Sequence, residues 1–200
     1  MDHLRYSGLS FETQRTAFLD IVSKDALIHE ALVRARGLDL PDWLVVSGAL
    51  YNSVWNHLTG KPSGYGIRDV DLFYFDESDL SYEAEDLVIR CAAEHFEGLT
   101  LLVEIRNQAR VHLWFEARFG GSYPRLSSSA EALCYFASKT HAVGVRFGNH
   151  GQLELVAPFG LDEIFSFRIT PNRALDNRQT HETKGARARE NWPEISVVPW

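Results

Sequence analysis

The chain has 200 residues, of which 45% are hydrophobic and 24% are charged. These proportions are typical of a globular protein and exclude a collagen-like, repetitive or wholly disordered chain. The formal net charge of −7 argues against a protein that contacts nucleic-acid backbones over a wide surface, because such proteins are generally basic. A chain of this length predicts a single domain over residues 1–200.

The first residues lack the apolar stretch of a signal peptide, and no apolar run approaches the roughly 20 residues of a membrane span. We therefore expect a cytoplasmic protein with no membrane partner. The two cysteines, Cys91 and Cys134, lie in apolar segments. They are expected to be buried free thiols in a reducing compartment.

Apolar residues recur every three or four positions between residues 10 and 37, which predicts two N-terminal helices with a break near Ser23–Asp25. The following elements are predicted from short apolar runs and from glycine-rich breaks. In order they are a strand at 43–46, a helix at 49–58, a loop at 60–66, a strand at 70–75, a helix at 80–96 and a strand at 100–105.

The segment 111–119 fits a strand or a helix equally well. The remaining predicted elements are a helix at 129–138, a hairpin formed by 142–147 and 153–156, a helix at 161–168 and a basic helix near 173–189. This alternation of helices and strands predicts an α/β (α+β) protein, with a sheet flanked by helices.

Charge is distributed unevenly along the chain. Residues 1–100 carry 8 basic and 17 acidic side chains, whereas residues 101–200 carry 12 basic and 10 acidic ones. Much of the basic excess lies in a helical segment at about 168–190, with these six members: Arg168, Arg173, Arg178, Lys184, Arg187 and Arg189. This basic segment is either a solvated helix face or a site for a small anion such as a triphosphate.

The most informative stretch is a pair of aspartates at the start of a predicted strand. Asp69 and Asp71 are two residues apart, so their side chains point to the same face of the sheet. Such a pair is either solvated at a strand end or stabilised by a divalent cation. A third acid, Glu104, interrupts the next apolar strand; it either faces water from an edge strand or joins the aspartates.

Ser47-Gly48-Ala49 lies between the first predicted strand and the following helix. Glycine permits another group to approach the backbone closely, and the free amides at a helix start suit a phosphate. The sequence has no P-loop, GxGxxG, HExxH, GxSxG or CxxC motif, so other common nucleotide, zinc and hydrolase sites lack support.

Together these residues resemble the DNA polymerase β-like nucleotidyltransferase superfamily, and most closely a bacterial family of small nucleotidyltransferase-like proteins. The resemblance implies a nucleotidyltransferase-like mixed β-sheet flanked by helices. Ala49 departs from the superfamily pattern, in which Gly or Ser is usual. The matching stretches are SGALYNSVWNHLTG, RDVDLFYFD, VEIRNQARVHLWFE, APFGLDEIF and NWPEISVVPW.

The resemblance implies that Asp69 and Asp71 hold two Mg²⁺ ions on the triphosphate of an NTP substrate. Glu104 would complete one metal site and accept the proton of an attacking hydroxyl, and pyrophosphate would leave. The candidates for binding the nucleotide are Ser47, Gly48, Arg68, Asn107, Arg110, Lys184 and Arg187. Of these, Asn107 and Arg110 either contact substrate or form a hydrogen-bonded corner at the sheet end.

The expected partner is a small hydroxylated molecule or a protein side chain as acceptor, and long nucleic acid is not expected. One alternative is a catalytically inactive nucleotide-binding or toxin–antitoxin-type interaction module. Another is an α/β scaffold whose carboxylates coincide by chance. The aromatic residues Trp55, Trp114, Phe115 and Phe159 are expected in the core, although one of them could stack on a base.

Overall fold

A computed structural model describes residues 2–200 of the chain. Within that range the α-helices are α1 (Phe11–Lys24), α2 (Ala26–Gly37), α3 (Gly48–Thr59), α4 (Tyr82–His95), α5 (Val111–Phe119), α6 (Ser129–Ala132), α7 (Asp162–Phe165) and α8 (Arg178–Asn191). The strands are β1 (Leu44–Val46), β2 (Asp69–Tyr74), β3 (Leu102–Asn107), β4 (Gly144–Phe147), β5 (Leu153–Val156), β6 (Arg168–Ile169) and β7 (Ser196–Val197).

Five strands form one mixed sheet in the order β3-β2-β1-β4-β5, and β6 and β7 form a separate parallel pair. The short central strand β1 is antiparallel to both of its neighbours, whereas β2 and β3 are parallel. Two parallel strands require a crossover connection, and α4 supplies it between β2 and β3. The sheet flanked by helices confirms the fold class predicted from the sequence.

Local hydrogen bonds explain where the first two helices begin. The side chain of Ser10 accepts a hydrogen bond from the Thr13 amide at the start of α1. Asp25 interrupts the helical run, and its side chain accepts from the amides of Leu27 and Ile28 in the first turn of α2. These side chains satisfy donors that a helix start leaves unpaired, so the break falls at Asp25.

One face of the sheet, here called the back face, packs into the main core. Alternate residues of β2 (Val70, Leu72 and Tyr74) are buried with Val45 of β1 among apolar side chains of α1 to α4. Complete burial of a leucine or valine side chain contributes roughly 1.5–3 kcal/mol. The back face is therefore the part of the sheet that contributes most to stability.

The helix predicted at 129–138 is shorter in the structure. Helix α6 ends at Ala132, a single 3₁₀ turn follows over Leu133–Tyr135, and Phe136 is extended. The side-chain amide of Asn172 donates to the carbonyls of Cys134 and Phe136 at 2.7 and 2.9 Å. Those carbonyls are thus engaged by a distant side chain, and the chain leaves the helical path.

The helix predicted at 161–168 also ends early, because Phe167 adopts a positive φ of 49°. Beyond it, Arg168–Ile169 pairs with Ser196–Val197 to form β6 and β7, which the sequence did not predict. The Ser196 amide donates to the Phe167 carbonyl at 2.9 Å. The end of the chain therefore closes back onto the segment that follows α7.

Two further expectations are tested by burial. Trp55 is completely buried, as expected, but Phe159 is 36% exposed. Cys91 lies exposed on α4 and Cys134 is half-buried, so the expectation of two buried thiols is wrong. Across residues 2–200, none of the helices is long and apolar enough to cross a membrane.

Candidate active site

The three candidate carboxylates lie on the face of the sheet opposite the core, here called the front face. Asp69 and Asp71 alternate with the buried residues of β2, so both belong to the front face. The parallel register pairs Asp71 with Glu104 of β3, and Val46 of β1 lies on the other side of Asp71. Neighbouring strands are roughly 4.8 Å apart, so the backbones at Asp71 and Glu104 are adjacent.

The donors available on the front face suit a hard cation that arrives with phosphate. Asp69 and Asp71 are half-buried, whereas Glu104 is exposed on the edge strand. In the described part of the chain, no three His, Cys, Asp or Glu side chains are gathered closely enough to hold a metal by themselves. Mg²⁺ is usually bound by one or two carboxylates together with substrate phosphates, so this donor set fits Mg²⁺ bound with a nucleotide.

The electrostatic setting of Asp71 distinguishes it from an ordinary surface aspartate. Burial raises the pKa of Asp71 from 3.8 to about 6. The charge of Lys184 lowers this pKa, whereas the negative charges of Asp69 and Glu104 raise it. The ionised carboxylate is therefore disfavoured in the folded protein, and a bound cation would stabilise it.

The turn before α3 exposes main-chain donors beside these carboxylates. Ser47 has φ 61° and ψ −121°, a conformation that favours glycine. Its amide donates to the Val143 carbonyl at 2.8 Å, which fixes the turn to the residue just before β4. Within residues 2–200, the first two amides of α3, those of Gly48 and Ala49, have no protein acceptor. Such free amides at a helix start attract anions.

Helix α8 brings positive charge to the front face. Lys184 lines the same cavity as Ser47 and Asp71. The pKa of buried His141 lies well below 6.5. Burial is the main cause, and the charges of Lys184, His181 and Arg187 lower it further. Lys184 and Arg187 are thus the members of the basic segment whose charges reach this part of the molecule.

Five of the seven nucleotide-binding candidates do not line that cavity: Gly48, Arg68, Asn107, Arg110 and Arg187. Arg68 is exposed just before β2. Asn107 donates from Nδ2 to the Asp76 carbonyl at 2.8 Å, and its Oδ1 accepts from the Asp76 amide at 3.1 Å. Arg110 donates from Nε to a main-chain carbonyl and forms a buried ion pair with Glu85. Asn107 and Arg110 therefore fasten the corner that follows β3 to the loop before α4 and to the first turn of α4.

Comparisons with known proteins agree with this geometry. A family model described as "Nucleotidyltransferase" matches residues 33–197. The chain belongs to this nucleotidyltransferase family. A structure solved by NMR, described as a CCA-adding enzyme head domain, superposes with a TM-score of 0.74 at 25% identity; the alignment covers 92% of this chain and 95% of that one. No match was found among curated proteins. The resemblance to the polymerase β-like superfamily is confirmed.

The nucleotidyltransferase has a cavity of about 290 Å³ between the front face, α5 and α8. Asp71, Arg106 and Lys184 contribute charged groups to its lining. The opposite side is apolar and is here called the aromatic wall, with these six members: Trp114, Phe115, Phe119, Tyr123, Tyr135 and Phe136. Trp114 and Phe115 are half-buried in this wall, so the expectation that they belong to the core is wrong.

Sequence reasoning also missed two residues of the nucleotidyltransferase that lie beside the Ser47 turn. His141 lines the cavity, and its ring stacks on Tyr51 with the ring centroids 4.9 Å apart. Burial raises the pKa of Tyr51, and the charges of Asp71 and Arg187 also act on it. The sequence could have indicated Tyr51 as a site residue, because it lies one helical turn after Ser47. His141 is distant in sequence, and no pattern indicates it.

Proposed function

We propose that this nucleotidyltransferase moves a nucleoside monophosphate from an NTP to a hydroxyl acceptor, with Mg²⁺ as cofactor and pyrophosphate as the leaving group. The observation that carries the proposal is the position of Asp71. This disfavoured anion lies beside the free amides of α3, in a cavity that also contains Lys184. Residues 1–200 are proposed to act as one nucleotidyltransferase-like domain.

Asp69 and Asp71 are the proposed ligands of two Mg²⁺ ions, and Glu104 completes one of the two sites. When bound, Mg²⁺ neutralises phosphate charge and orients the triphosphate. The half-buried positions of Asp69 and Asp71 and the exposed position of Glu104 support this division. The aspartates face the nucleotide, and Glu104 faces the open side from which an acceptor arrives.

Main-chain amides and basic side chains are the proposed phosphate ligands. The Ser47 turn presents the amide of Gly48, and α8 presents Lys184 and Arg187. Arg68, exposed before β2, is the remaining candidate and would meet only the outer part of the triphosphate. Positive charge and helix-start amides together compensate the anionic ligand.

The proposed transfer balances as a simple displacement. The acceptor hydroxyl loses its proton to the carboxylate of Glu104, and its oxygen attacks the α-phosphorus. A new oxygen–phosphorus bond forms while the bond from the α-phosphorus to the bridging oxygen breaks, and pyrophosphate leaves with the electron pair. The protein contributes mainly by positioning the two reactants and by neutralising charge.

Asn107 and Arg110 are proposed to act as positioning residues. Their side chains are occupied by hydrogen bonds and by the Glu85 ion pair, which join the end of β3 and the turn after it to the loop before α4 and to the first turn of α4. A change at either residue would move Glu104 on one side of the corner and the cavity wall on the other.

The proposed acceptor is a small hydroxylated molecule or a protein side chain. The net charge of −7 supports this choice, because a polymer of phosphates would be repelled by most of the surface. The solved relative is described as a CCA-adding enzyme head domain, and for that reason an RNA end is the competitor that experiments must include.

The test measures nucleotide binding and nucleotidyl transfer separately. The protein is incubated with Mg²⁺ and each α-labelled NTP, first alone and then with fractionated cell extract, and released pyrophosphate and labelled products are measured. We expect transfer that requires Mg²⁺, and a loss of at least about 100-fold in Asp71→Asn. Glu83→Gln, which removes an exposed carboxylate of α4, is the matched control and is expected to retain activity.

The outcomes separate the proposal from its main alternative. Tight NTP binding without transfer in any fraction would favour an inactive nucleotide-binding module. Full activity of Asp71→Asn would contradict the role assigned to that carboxylate.

A further inference from the structure

The surroundings of Asp71 are different on its two sides. Along β2 lies the cavity, whose lining includes Asp71 and Phe73, together with Arg106 of the edge strand β3. Towards the sheet edge lies Glu104, which is exposed and does not line the cavity. If Glu104 serves the acceptor, the acceptor comes from this exposed edge of the sheet, and the cavity is left for the other substrate.

The cavity leads from the carboxylate to aromatic rings. Phe73 follows Asp71 by two residues on the same strand face, about 7 Å further along the strand. Its ring contacts Phe136 of the aromatic wall edge to face, with the centroids 5.9 Å apart. The carboxylate of Asp71 and the rings of Phe73 and Phe136 therefore lie one after another along the cavity wall.

The aromatic wall is continuous. The ring centroid of Phe115 lies 4.8 Å from that of Phe119 and 4.7 Å from that of Tyr123. The centroids of Tyr123 and Tyr135 are 5.6 Å apart. Phe119 is nevertheless 58% exposed, so other side chains of the protein do not cover this ring completely. Ring surfaces that face an open cavity suit a planar aromatic ligand.

We propose that the aromatic wall binds the base of the NTP by stacking, while the acceptor approaches past Glu104. This inference rests on the proposed nucleotidyl transfer and adds the location of the base and of the acceptor. Every base has a π-face, so binding by stacking tolerates different bases. We therefore expect ATP, GTP, CTP and UTP to bind with similar affinity.

The experiment compares a ligand that has a base with one that has none. The probes are α,β-methylene-ATP and inorganic tripolyphosphate, each titrated with Mg²⁺ by calorimetry. The variants are Trp114→Leu and Phe119→Leu, with Tyr82→Leu as the control because it removes an exposed ring outside the cavity. Thermal unfolding of each variant shows whether it is folded. If Trp114→Leu does not fold, Phe119→Leu still tests the proposal, because Phe119 is largely exposed and its replacement should leave the fold intact.

We expect the wall variants to bind α,β-methylene-ATP about tenfold more weakly, the scale of one lost base–ring stack. Tripolyphosphate binding should stay unchanged, and Tyr82→Leu should alter neither affinity. Undiminished binding of the analogue by both folded wall variants would overturn the assignment of the base while leaving nucleotidyl transfer intact. Failure of the unsubstituted protein to bind either probe would instead contradict the proposed function, and this inference with it.

Discussion

Strand β2 presents two different chemistries from six consecutive residues. Its back-face residues, Val70, Leu72 and Tyr74, are buried among apolar side chains of the main core. Its front-face residues include Asp69 and Asp71; burial, with the negative charge of Asp69 adding, raises the pKa of Asp71. The difference shows that stability and proposed chemistry are separated by a single residue step along one strand.

This separation has a physical basis in the period of a strand. Successive side chains point to opposite faces, so apolar residues can hold the backbone in place while alternate positions carry unfavourable charge. If the faces are independent, substitutions on the back face should change folding more than nucleotide binding. Substitutions on the front face should do the reverse.

The largest effect on the free energy of unfolding is expected at the corner beyond β3. There Arg110, a proposed positioning residue, forms a buried ion pair with Glu85. Arg110→Met leaves Glu85 as a buried charge without its ion-pair partner. The free energy of unfolding should fall by about 3–5 kcal/mol. Arg90→Met, which breaks the exposed ion pair with Asp86, should change it by less than about 1 kcal/mol. Equal effects in urea unfolding would contradict the structural role of the Arg110 pair.

The next effect belongs to the back face. Leu72→Ala removes a completely buried side chain and should lower the free energy of unfolding by about 2–5 kcal/mol. The fraction that remains folded should bind α,β-methylene-ATP with unchanged affinity. Leu87→Ala, at a position 55% exposed, is the control and should be nearly neutral. Weaker binding by folded Leu72→Ala would show that the faces are coupled.

A smaller effect, on nucleotide binding rather than on folding, is expected for a substitution in the cavity. Lys184→Met removes the charge that lowers the pKa of Asp71, and nucleotide affinity should fall about tenfold because a charged hydrogen bond contributes roughly 1.5–3 kcal/mol. Arg173→Met removes the same charge from an exposed site outside the cavity. If calorimetry gives equal losses for the two variants, net charge rather than Lys184 determines binding.

Asp71→Asn tests the front face through pH. The pKa of Asp71 is about 6 in the folded protein against 3.8 ordinarily, so the folded state binds more protons between these values. Its stability therefore falls as pH rises through that window. The variant lacks this fall and should be more stable by about 1–3 kcal/mol above pH 7, with little difference below pH 4. A difference independent of pH in urea unfolding would contradict this origin.

No specific effect is expected from long nucleic acid. The first half of the chain carries 17 acidic and 8 basic side chains, and contacts to many phosphates need a basic surface. Filter binding should detect no micromolar complex with tRNA or duplex DNA at physiological salt in the presence of Mg²⁺ and NTP. Binding that persists there would make RNA the leading acceptor.

The sheet could be predicted from the sequence because β2 and its neighbours alternate or are uniformly apolar. The aspartate spacing then determines that Asp69 and Asp71 share a face, and the apolar run around Glu104 places it on a strand. Their pairing in register depends on the crossover through α4. Spacing alone does not reveal that register.

Other parts could not be predicted because their causes are distant in sequence. Strands β6 and β7 have two residues each, too few to show a period, and they pair across 28 positions of the chain. Helix α6 ends where Asn172 engages the carbonyls of Cys134 and Phe136. The aromatic wall combines α5 with the loops that follow it, and the sequence 111–119 fits two kinds of structure.

The backbone of Ser47 has a consequence for engineering this protein. A non-glycine residue in its conformation, with φ 61°, raises the energy of the folded state by about 1–3 kcal/mol. A search for thermostable variants would therefore select Ser47→Gly readily, since glycine adopts this geometry without strain. Heat resistance alone would then be a misleading criterion, because the same turn aims the amides that are proposed to meet the triphosphate.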